Sequence, residues 1–172
     1  EEPYQGDRSY FPHRYPHACY AAMVSYFDEQ VGEIVATLKE LGLYENTLIL
    51  FSSDNGPTFN GGTDSPWFDS AKPFKSEVGW GKGNVNEGGM RVPMIAHWPG
   101  KIKAGTSSDH ISGFYDVLPT ICELTGIEPA EKTDGISFLP SILGKESQEE
   151  HEYLYWEFPE SGGQQAVRIG KW

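Results

Sequence analysis

The sequence predicts a protein of the α/β class, with helices packed on a mostly parallel sheet. Residues 47–53 (TLILFSS) and 92–98 (VPMIAHW) are apolar runs of the length typical of buried strands. A helical pattern precedes the first run and a shorter one follows the second, which is the alternation expected of α/β proteins. Residues 153–158 and 165–172 alternate apolar and polar side chains, so two further strands are expected near the end.

The first helix is predicted over residues 17–41. Apolar side chains recur there at spacings of three and four, which places them along one face of a helix. Gly42 follows as the usual left-handed stop. The face consists of Tyr20, Met23, Phe27, Val31, Ile34, Leu38 and Leu41.

A long segment without regular pattern covers residues 56–86. Gly, Pro, Asn, Asp and Ser dominate it, and loops of this length are usually functional or disordered. Its aromatic side chains favour an ordered loop, in which they either form a specificity wall for a substrate or pack against one another. These aromatic residues are Trp67, Phe68, Phe74 and Trp80.

The second half begins with a helix predicted from Asp116, which is a suitable N-cap, to Gly126, which ends it. Residues 137–143 predict a short helical turn, and residues 146–152 an acidic surface segment. The chain starts without a first strand and stops while residues 165–172 are still in strand pattern, so we expect a piece of a larger protein.

Composition narrows the classes of partner. The 172 residues are 38% hydrophobic and 13% aromatic, which is enough for a core. The net charge of −12 argues against nucleic acid and against an anionic membrane as partners. No apolar stretch approaches the roughly 18 residues of a membrane span.

Asp54 and Asn55 are the candidate metal ligands. They follow the first strand directly, and ligands of open α/β sheets gather beyond the carboxyl ends of strands. Carboxylate and carboxamide oxygens suit calcium or magnesium, but two ligands are too few for a calcium site. The alternative is that Asp54-Asn55-Gly56 is simply a turn after a strand.

Lys82 is the candidate anion-binding residue, since its flanking glycines would let its ammonium group and backbone approach a ligand closely. Lys75 is a further candidate cation. The alternative for both is a solvated loop lysine. Glu87 and Arg91 are expected to form a buried structural pair, with the glycines between them packed tightly. The five histidines show no metal-ligand spacing, and none is assigned a role.

Taken together, these motifs resemble the type I, formylglycine-dependent sulfatases (arylsulfatases) of the alkaline-phosphatase superfamily. The order and spacing of the motifs carry the resemblance from about Tyr20 to the end of the chain. The matching segments are 20–24 (YAAMV), 27–32 (FDEQVG), 53–56 (SDNG), 81–83 (GKG), 87–93 (EGGMRVP), 98–102 (WPGKI), 116–120 (DVLPT), 134–140 (DGISFLP) and 167–172 (VRIGKW).

The resemblance implies a partial alkaline-phosphatase-like sandwich over residues 1–130 and part of a smaller C-terminal antiparallel-sheet subdomain over residues 131–172. It implies that Asp54 and Asn55 bind Ca²⁺ and that Lys82 contacts the sulfate and the leaving-group oxygen. The implied substrate is a sulfated small molecule or glycan, and the implied location is secreted or periplasmic.

The chain also departs from the family pattern. The formylglycine arises from Cys/Ser-x-Pro/Ala-Ser-Arg, and neither Cys19 nor Cys122 begins that motif. Further calcium ligands are expected upstream, so the missing N-terminal part of the same enzyme is an expected partner and the chain alone is expected to be inactive. Two alternatives stay open: a phosphate or phosphonate ester hydrolase of the same superfamily, and a non-catalytic binding module.

Overall fold

The computed structural model describes residues 1–7, 10–160 and 162–172. Helices and strands occur in mixed order, so the predicted α/β class is confirmed. The described elements are α1 (Pro16–Glu40), β1 (Ile49–Ser52), α2 (Glu87–Met90), β2 (Met94–His97), α3 (Val117–Thr125), α4 (Leu139–Ile142), β3 (Leu154–Phe158) and β4 (Gln164–Arg168), with 3₁₀ turns at Tyr44–Asn46 and Phe114–Asp116.

Helix α1 confirms the long helix predicted from the apolar pattern. Pro16 begins it, at a position where the missing N–H costs no hydrogen bond. Gly42, with a φ of +68°, follows its end in the left-handed conformation expected of a stop. Much of the apolar face is exposed, including Met23 at 65% and Ile34 at 61%. None of the described helices has the length and apolarity needed to cross a bilayer.

The four strands form two small sheets. Strand β1 pairs with β2, and β3 pairs with β4. The connection between β3 and β4 is too short for a crossover, so these two strands run antiparallel. Strands β1, β2 and β3 lie within the runs predicted to be strands and are shorter than those runs. Strand β4 begins one residue before its predicted run of 165–172 and ends at Arg168.

Residues 53–86 contain no helix or strand, and the loop is nevertheless packed. Ser65 and Ser76 are buried, and the Ser65 hydroxyl donates to the Ser76 carbonyl at 2.8 Å. Gly62, with a φ of +75°, lies so close to Pro16 that an added Cβ would be 2.9 Å from the proline Cβ. The loop is therefore ordered, as its aromatic content predicts.

The described chain divides into two compact units. The first comprises residues 1–44, 50–95 and 157–166, and the second comprises residues 45–49, 96–156 and 167–172. The second unit contains the buried apolar side chains of Phe138, Leu139 and Leu154. The domain boundary near residue 130 stays a prediction.

Asp116 is the N-cap residue of α3, as predicted, and Gly126 follows the helix in the left-handed conformation, as also predicted. Asp116 precedes the helix, but its carboxylate makes no capping bond to it. The carboxylate instead accepts hydrogen bonds from the backbone N–H groups of Gly113, at 2.7 Å, and Ile136, at 2.8 Å. The side chain is fully buried, and a buried carboxylate takes the donors that surround it, wherever they lie in sequence.

Candidate functional site

The candidate metal ligands extend from the end of β1. Asp54 is exposed, and its carboxylate has no hydrogen bond or ion pair to any described residue. The Asn55 amide donates to the Gly56 carbonyl at 2.9 Å, which leaves its carboxamide oxygen without a partner among the described residues. The Ser53 hydroxyl donates to the Asn55 carbonyl at 2.8 Å and holds this bend. Two oxygen donors are therefore available side by side for a hard cation.

Close backbone contacts hold this bend against α2. The Gly56 N–H donates to the Gly89 carbonyl at 2.8 Å. A Cβ added to Gly56 would lie 1.8 Å from the Gly88 oxygen, and one added to Gly88 would lie 1.8 Å from the Lys75 oxygen. Any side chain at these two glycines would therefore push the segments apart. The tight packing predicted for the glycines between Glu87 and Arg91 is confirmed.

The same bend is tied to Lys82. The Lys82 N–H donates to the Pro57 carbonyl at 2.9 Å, and a Cβ on Gly81 would lie 2.4 Å from that carbonyl oxygen. The Lys82 side chain is exposed and forms no hydrogen bond or ion pair with the described residues. Its ammonium group is thus available to an anion.

The structure therefore brings the three predicted site residues into one neighbourhood. Pro57 is three positions after Asp54, so the two residues are at most about 11 Å apart, and Pro57 is hydrogen-bonded to Lys82. Asp54 and Lys82 are 28 positions apart in sequence, so this juxtaposition is a result of folding. Oxygen donors for a cation and a free ammonium group together form a site suited to an anionic ester.

The other predicted residues have different roles. The Lys75 ammonium lies 4.5 Å from the centroid of the Trp80 ring, a cation–π contact within the loop. Glu87 and Arg91 form the predicted ion pair, at 3.1 Å. The prediction that this pair is buried is wrong, because α2 packs through its glycine backbone and leaves the two side chains 45% and 57% exposed.

Two aspartate–histidine pairs were not predicted from the sequence. His17 Nε2 lies 2.8 Å from Asp64 Oδ2, and His151 Nε2 lies 2.8 Å from Asp116 Oδ1. The partners are 47 and 35 positions apart, so no local spacing could indicate them. In the described ranges, no group of three or more His, Cys, Asp or Glu side chains is arranged to hold a metal.

Two of the shifted pKa values, those of His110 and Tyr115, belong to the second unit. Burial lowers the pKa of His110 below 6.5, since the imidazolium form loses its hydration; the charges of Asp116 and Glu150 oppose this shift. Burial also raises the pKa of Tyr115 above 10.0, and the neighbouring Asp116 adds to it. These shifts reflect packing in that unit and do not involve Asp54, Asn55 or Lys82.

Curated proteins similar to this chain are sulfatases. Rat steryl-sulfatase is 36% identical over 143 residues, which are 81% of this chain and 24% of that protein. Dog N-acetylgalactosamine-6-sulfatase is 36% identical over 73% of this chain and 23% of its own length. Human arylsulfatase A is 35% identical to this chain, over 84% of this chain and 28% of arylsulfatase A. The chain thus spans about a quarter of the length of these relatives.

Solved structures with folds similar to this chain are also available for comparison. The Ps i-CgsB structure in complex with k-i-k-neocarrahexaose has a TM-score of 0.76 and 34% identity, over 90% of this chain and 33% of that one. A phosphonate monoester hydrolase from Silicibacter pomeroyi has a TM-score of 0.58 and 28% identity, over 76% of this chain and 23% of that one. The alkaline-phosphatase-like fold implied by the resemblance is confirmed. The family model described as Sulfatase matches residues 1–127, and the chain therefore belongs to the sulfatase family.

Proposed function

We propose that this chain is part of a calcium-dependent sulfatase that hydrolyses a sulfate ester of a small molecule or glycan. Asp54 and Asn55 would supply half of the calcium site, and Lys82 would bind the sulfate and the leaving-group oxygen. One observation carries the proposal: the Pro57 carbonyl, just after the candidate metal ligands, accepts a hydrogen bond from the backbone N–H of Lys82. The Asp54 carboxylate, the Asn55 carboxamide oxygen and the Lys82 ammonium group have no partner among the described residues.

Asp54 and Asn55 are ligands of the type that calcium prefers, but two residues are too few to complete a calcium site. Carboxylate and carboxamide oxygens are the ligands that calcium takes, and it needs six to eight of them. Calcium, when bound, would act as a Lewis acid that offsets charge on the sulfate oxygens. We infer that the remaining ligands, and the formylglycine nucleophile, belong to an N-terminal part of the same enzyme, since the relatives are about four times longer.

The chain's own residues would orient and stabilise the ester. The exposed Lys82 ammonium would lie against the sulfate, and its positive charge would favour the build-up of negative charge as the ester bond breaks. Because its backbone is anchored to Pro57, the lysine would approach from a fixed direction. The contacts of Gly56 with Gly88 and Gly89 would hold the metal ligands at a fixed position relative to Lys82.

The substrate class is supported by what related proteins bind. One related structure contains neocarrahexaose, and another contains D-glucosamine-2-N,6-O-disulfate. Both ligands are saccharides, and the relatives include a steryl-sulfatase and an N-acetylgalactosamine-6-sulfatase. A sulfated glycan or small molecule is therefore the proposed substrate class, and a secreted or periplasmic location remains an expectation of the family.

A phosphonate or phosphate ester hydrolase is the second candidate, because a phosphonate monoester hydrolase shares the fold at 28% identity. Hydrolysis of 4-nitrophenyl sulfate and of 4-nitrophenyl phenylphosphonate by the complete enzyme separates the two. A sulfate preference of tenfold or more supports the first candidate. A preference of that size for the phosphonate would reject it.

The residue assignments are tested in the complete enzyme with matched controls. Lys82→Ala is expected to lower kcat for 4-nitrophenyl sulfate by about 10²- to 10³-fold, the usual cost of losing one charge-stabilising group. Asp54→Asn is expected to raise the calcium concentration needed for half-maximal activity. The exposed Lys103→Ala and Asp109→Asn variants should retain activity within about twofold. Normal kinetics and calcium dependence in the first two variants would refute the assignments.

A further inference from the structure

A cavity of about 510 Å³ lies in the first unit, at the start of α1. Its volume is within the range of small-molecule sites. Its wall includes Glu1, Glu2, Tyr4, His17, Asp64 and Trp67. The cavity contains none of the residues assigned to calcium or sulfate, so it is a separate feature of this unit.

An aromatic platform forms one side of the cavity. The Trp67 ring stacks on the His17 ring, with centroids 4.3 Å apart and planes 25° apart. Trp67 is nevertheless 64% exposed, so a large part of the indole remains open to a ligand. Exposed aromatic surface held rigid in this way suits the apolar C–H face of a sugar ring, since the contact removes apolar area from water on both sides.

Carboxylate side chains, which can accept hydrogen bonds, lie around the aromatic platform. Asp64 Oδ2 lies 2.8 Å from His17 Nε2, and the Asp64 side chain is 45% exposed, which leaves it able to accept from a hydroxyl group. Glu1 Oε2 accepts from the His17 backbone N–H at 2.6 Å. The lining also includes Glu2. Among the described residues of the lining, His17 is the one side chain that can become cationic, and it is already hydrogen-bonded to Asp64.

The cavity is also within reach of the candidate sulfate site. Gly62, which lines the cavity, is eight positions after Asp54, so these two residues are at most about 29 Å apart. Gly62 is held against the start of α1 by its contacts with Pro16 and Tyr4. An oligosaccharide could therefore occupy both places at once, whereas a single sulfated ring in the sulfate site would not need the cavity.

We propose that this cavity is a subsite for an uncharged sugar ring of a sulfated glycan, with Trp67 as the stacking residue and Asp64 as the hydroxyl acceptor. The inference rests on the proposed sulfatase function and narrows its substrate. Three carboxylates, with no free cationic side chain among the described residues that line the cavity, would repel a sulfated ring, so the subsite selects glycans that carry an unsulfated ring near the scissile sulfate.

The test uses the complete enzyme and compares a large substrate with a small one. In the Trp67→Ala variant, kcat/KM for sulfated neocarrahexaose or chondroitin 6-sulfate hexasaccharide, whichever the wild type cleaves, should fall about tenfold, mainly through KM. Hydrolysis of 4-nitrophenyl sulfate, which is too small to span both places, should stay within twofold. Asp64→Asn should likewise lower kcat/KM for the oligosaccharide and leave 4-nitrophenyl sulfate hydrolysis unchanged. Trp67→Phe should retain most of the wild-type kcat/KM for the oligosaccharide. Val78→Ala, which changes an exposed residue of the same loop, should affect neither substrate.

A binding measurement separates failure of the subsite from failure of the sulfatase proposal. Desulfated neocarrahexaose, cellohexaose and mannohexaose are titrated into the wild type and the Trp67→Ala variant by calorimetry. We expect at least one of them to bind the wild type and to bind the variant at least tenfold more weakly, even if the enzyme hydrolyses no sulfate ester. The subsite is rejected if none binds, or if Trp67→Ala affects both sulfate substrates equally or neither.

Discussion

His151 Nε2 lies 2.8 Å from Oδ1 of Asp116, a carboxylate with no exposure to solvent. The same carboxylate accepts from the backbone N–H groups of Gly113 and Ile136. Three segments that are distant in sequence therefore converge on one side chain. Since a buried carboxylate is costly unless its charge is compensated, this convergence is expected to be a main determinant of stability in the second unit.

Replacing Asp116 by Ala is expected to destabilise the protein by about 3–5 kcal/mol, because two backbone donors and the imidazole lose a buried acceptor. Asp116→Asn, which keeps the shape and one acceptor oxygen, should cost less. Urea unfolding of the complete protein measures both. A double-mutant cycle with His151→Phe should give a coupling energy above about 1 kcal/mol, and additive effects would show that the pair does not act as a unit.

Gly88 and Gly32 offer a matched comparison of glycines. An alanine Cβ at Gly88 would lie 1.8 Å from the Lys75 oxygen, whereas one at Gly32 meets nothing within 4 Å. Gly88→Ala should therefore separate α2 from the loop, lowering both stability and sulfatase activity. Gly32→Ala should stabilise α1 by about 0.5–1 kcal/mol, since alanine loses less backbone entropy in a helix.

Thermal unfolding together with 4-nitrophenyl sulfate hydrolysis measures both effects. Equal melting temperatures and activities for the two glycine variants would contradict the close backbone contact at Gly88.

The buried imidazole of His110 predicts a pH dependence of stability. Its Nε2 is buried without a hydrogen-bond partner in the described residues, and burial lowers its pKa below 6.5. The unfolded chain therefore takes up a proton at a higher pH than the folded one. This group's contribution to stability is complete above pH 6.5 and is lost as the pH falls from there through the lowered folded pKa.

Comparing the melting temperatures of wild type and His110→Gln from pH 7.5 to pH 5 tests this expectation. The wild type should lose more stability over that interval than the variant. Parallel pH profiles would show that His110 titrates in the folded protein as it does in the unfolded chain.

The isolated 172-residue chain should bind calcium weakly, with a Kd above about 1 mM. Asp54 and Asn55 supply two of the six or more oxygens that the ion takes, and water would have to provide the rest. Calorimetric titration with CaCl₂, using an Asp54→Ala variant as the blank, measures the affinity. Micromolar binding that the variant abolishes would show that the chain holds a full site.

The isolated chain should also hydrolyse no 4-nitrophenyl sulfate, because neither Cys19 nor Cys122 lies in the nucleophile motif. The assay requires stringent purification and a parallel preparation of the Lys82→Ala variant to detect contaminating sulfatases. Turnover that is present in the wild-type chain and absent in that variant would overturn the expectation.

Local patterns were sufficient for most of the elements, but the short helix α2 was not predicted from them. The helix from Pro16 to Glu40 and the strands β1 and β2 follow from apolar spacing and from the glycines that end them, which are properties of adjacent residues. The exposure of Glu87 and Arg91 could not be read in this way. Their spacing indicates a pair, but whether the pair is buried depends on which face of α2 packs, and glycine contacts decide that.

By itself, the sequence determined the α/β class, the order of the elements other than α2 and, through its motifs, the sulfatase family. The tertiary structure decided which residues meet: Lys82 with the bend after Asp54, His17 with Asp64, and His151 with Asp116. The physical reason is the separation in sequence between the residues that specify each feature. Strands and helices are specified by neighbours a few residues apart, whereas a site is assembled from segments that only the packing of backbone against backbone brings together.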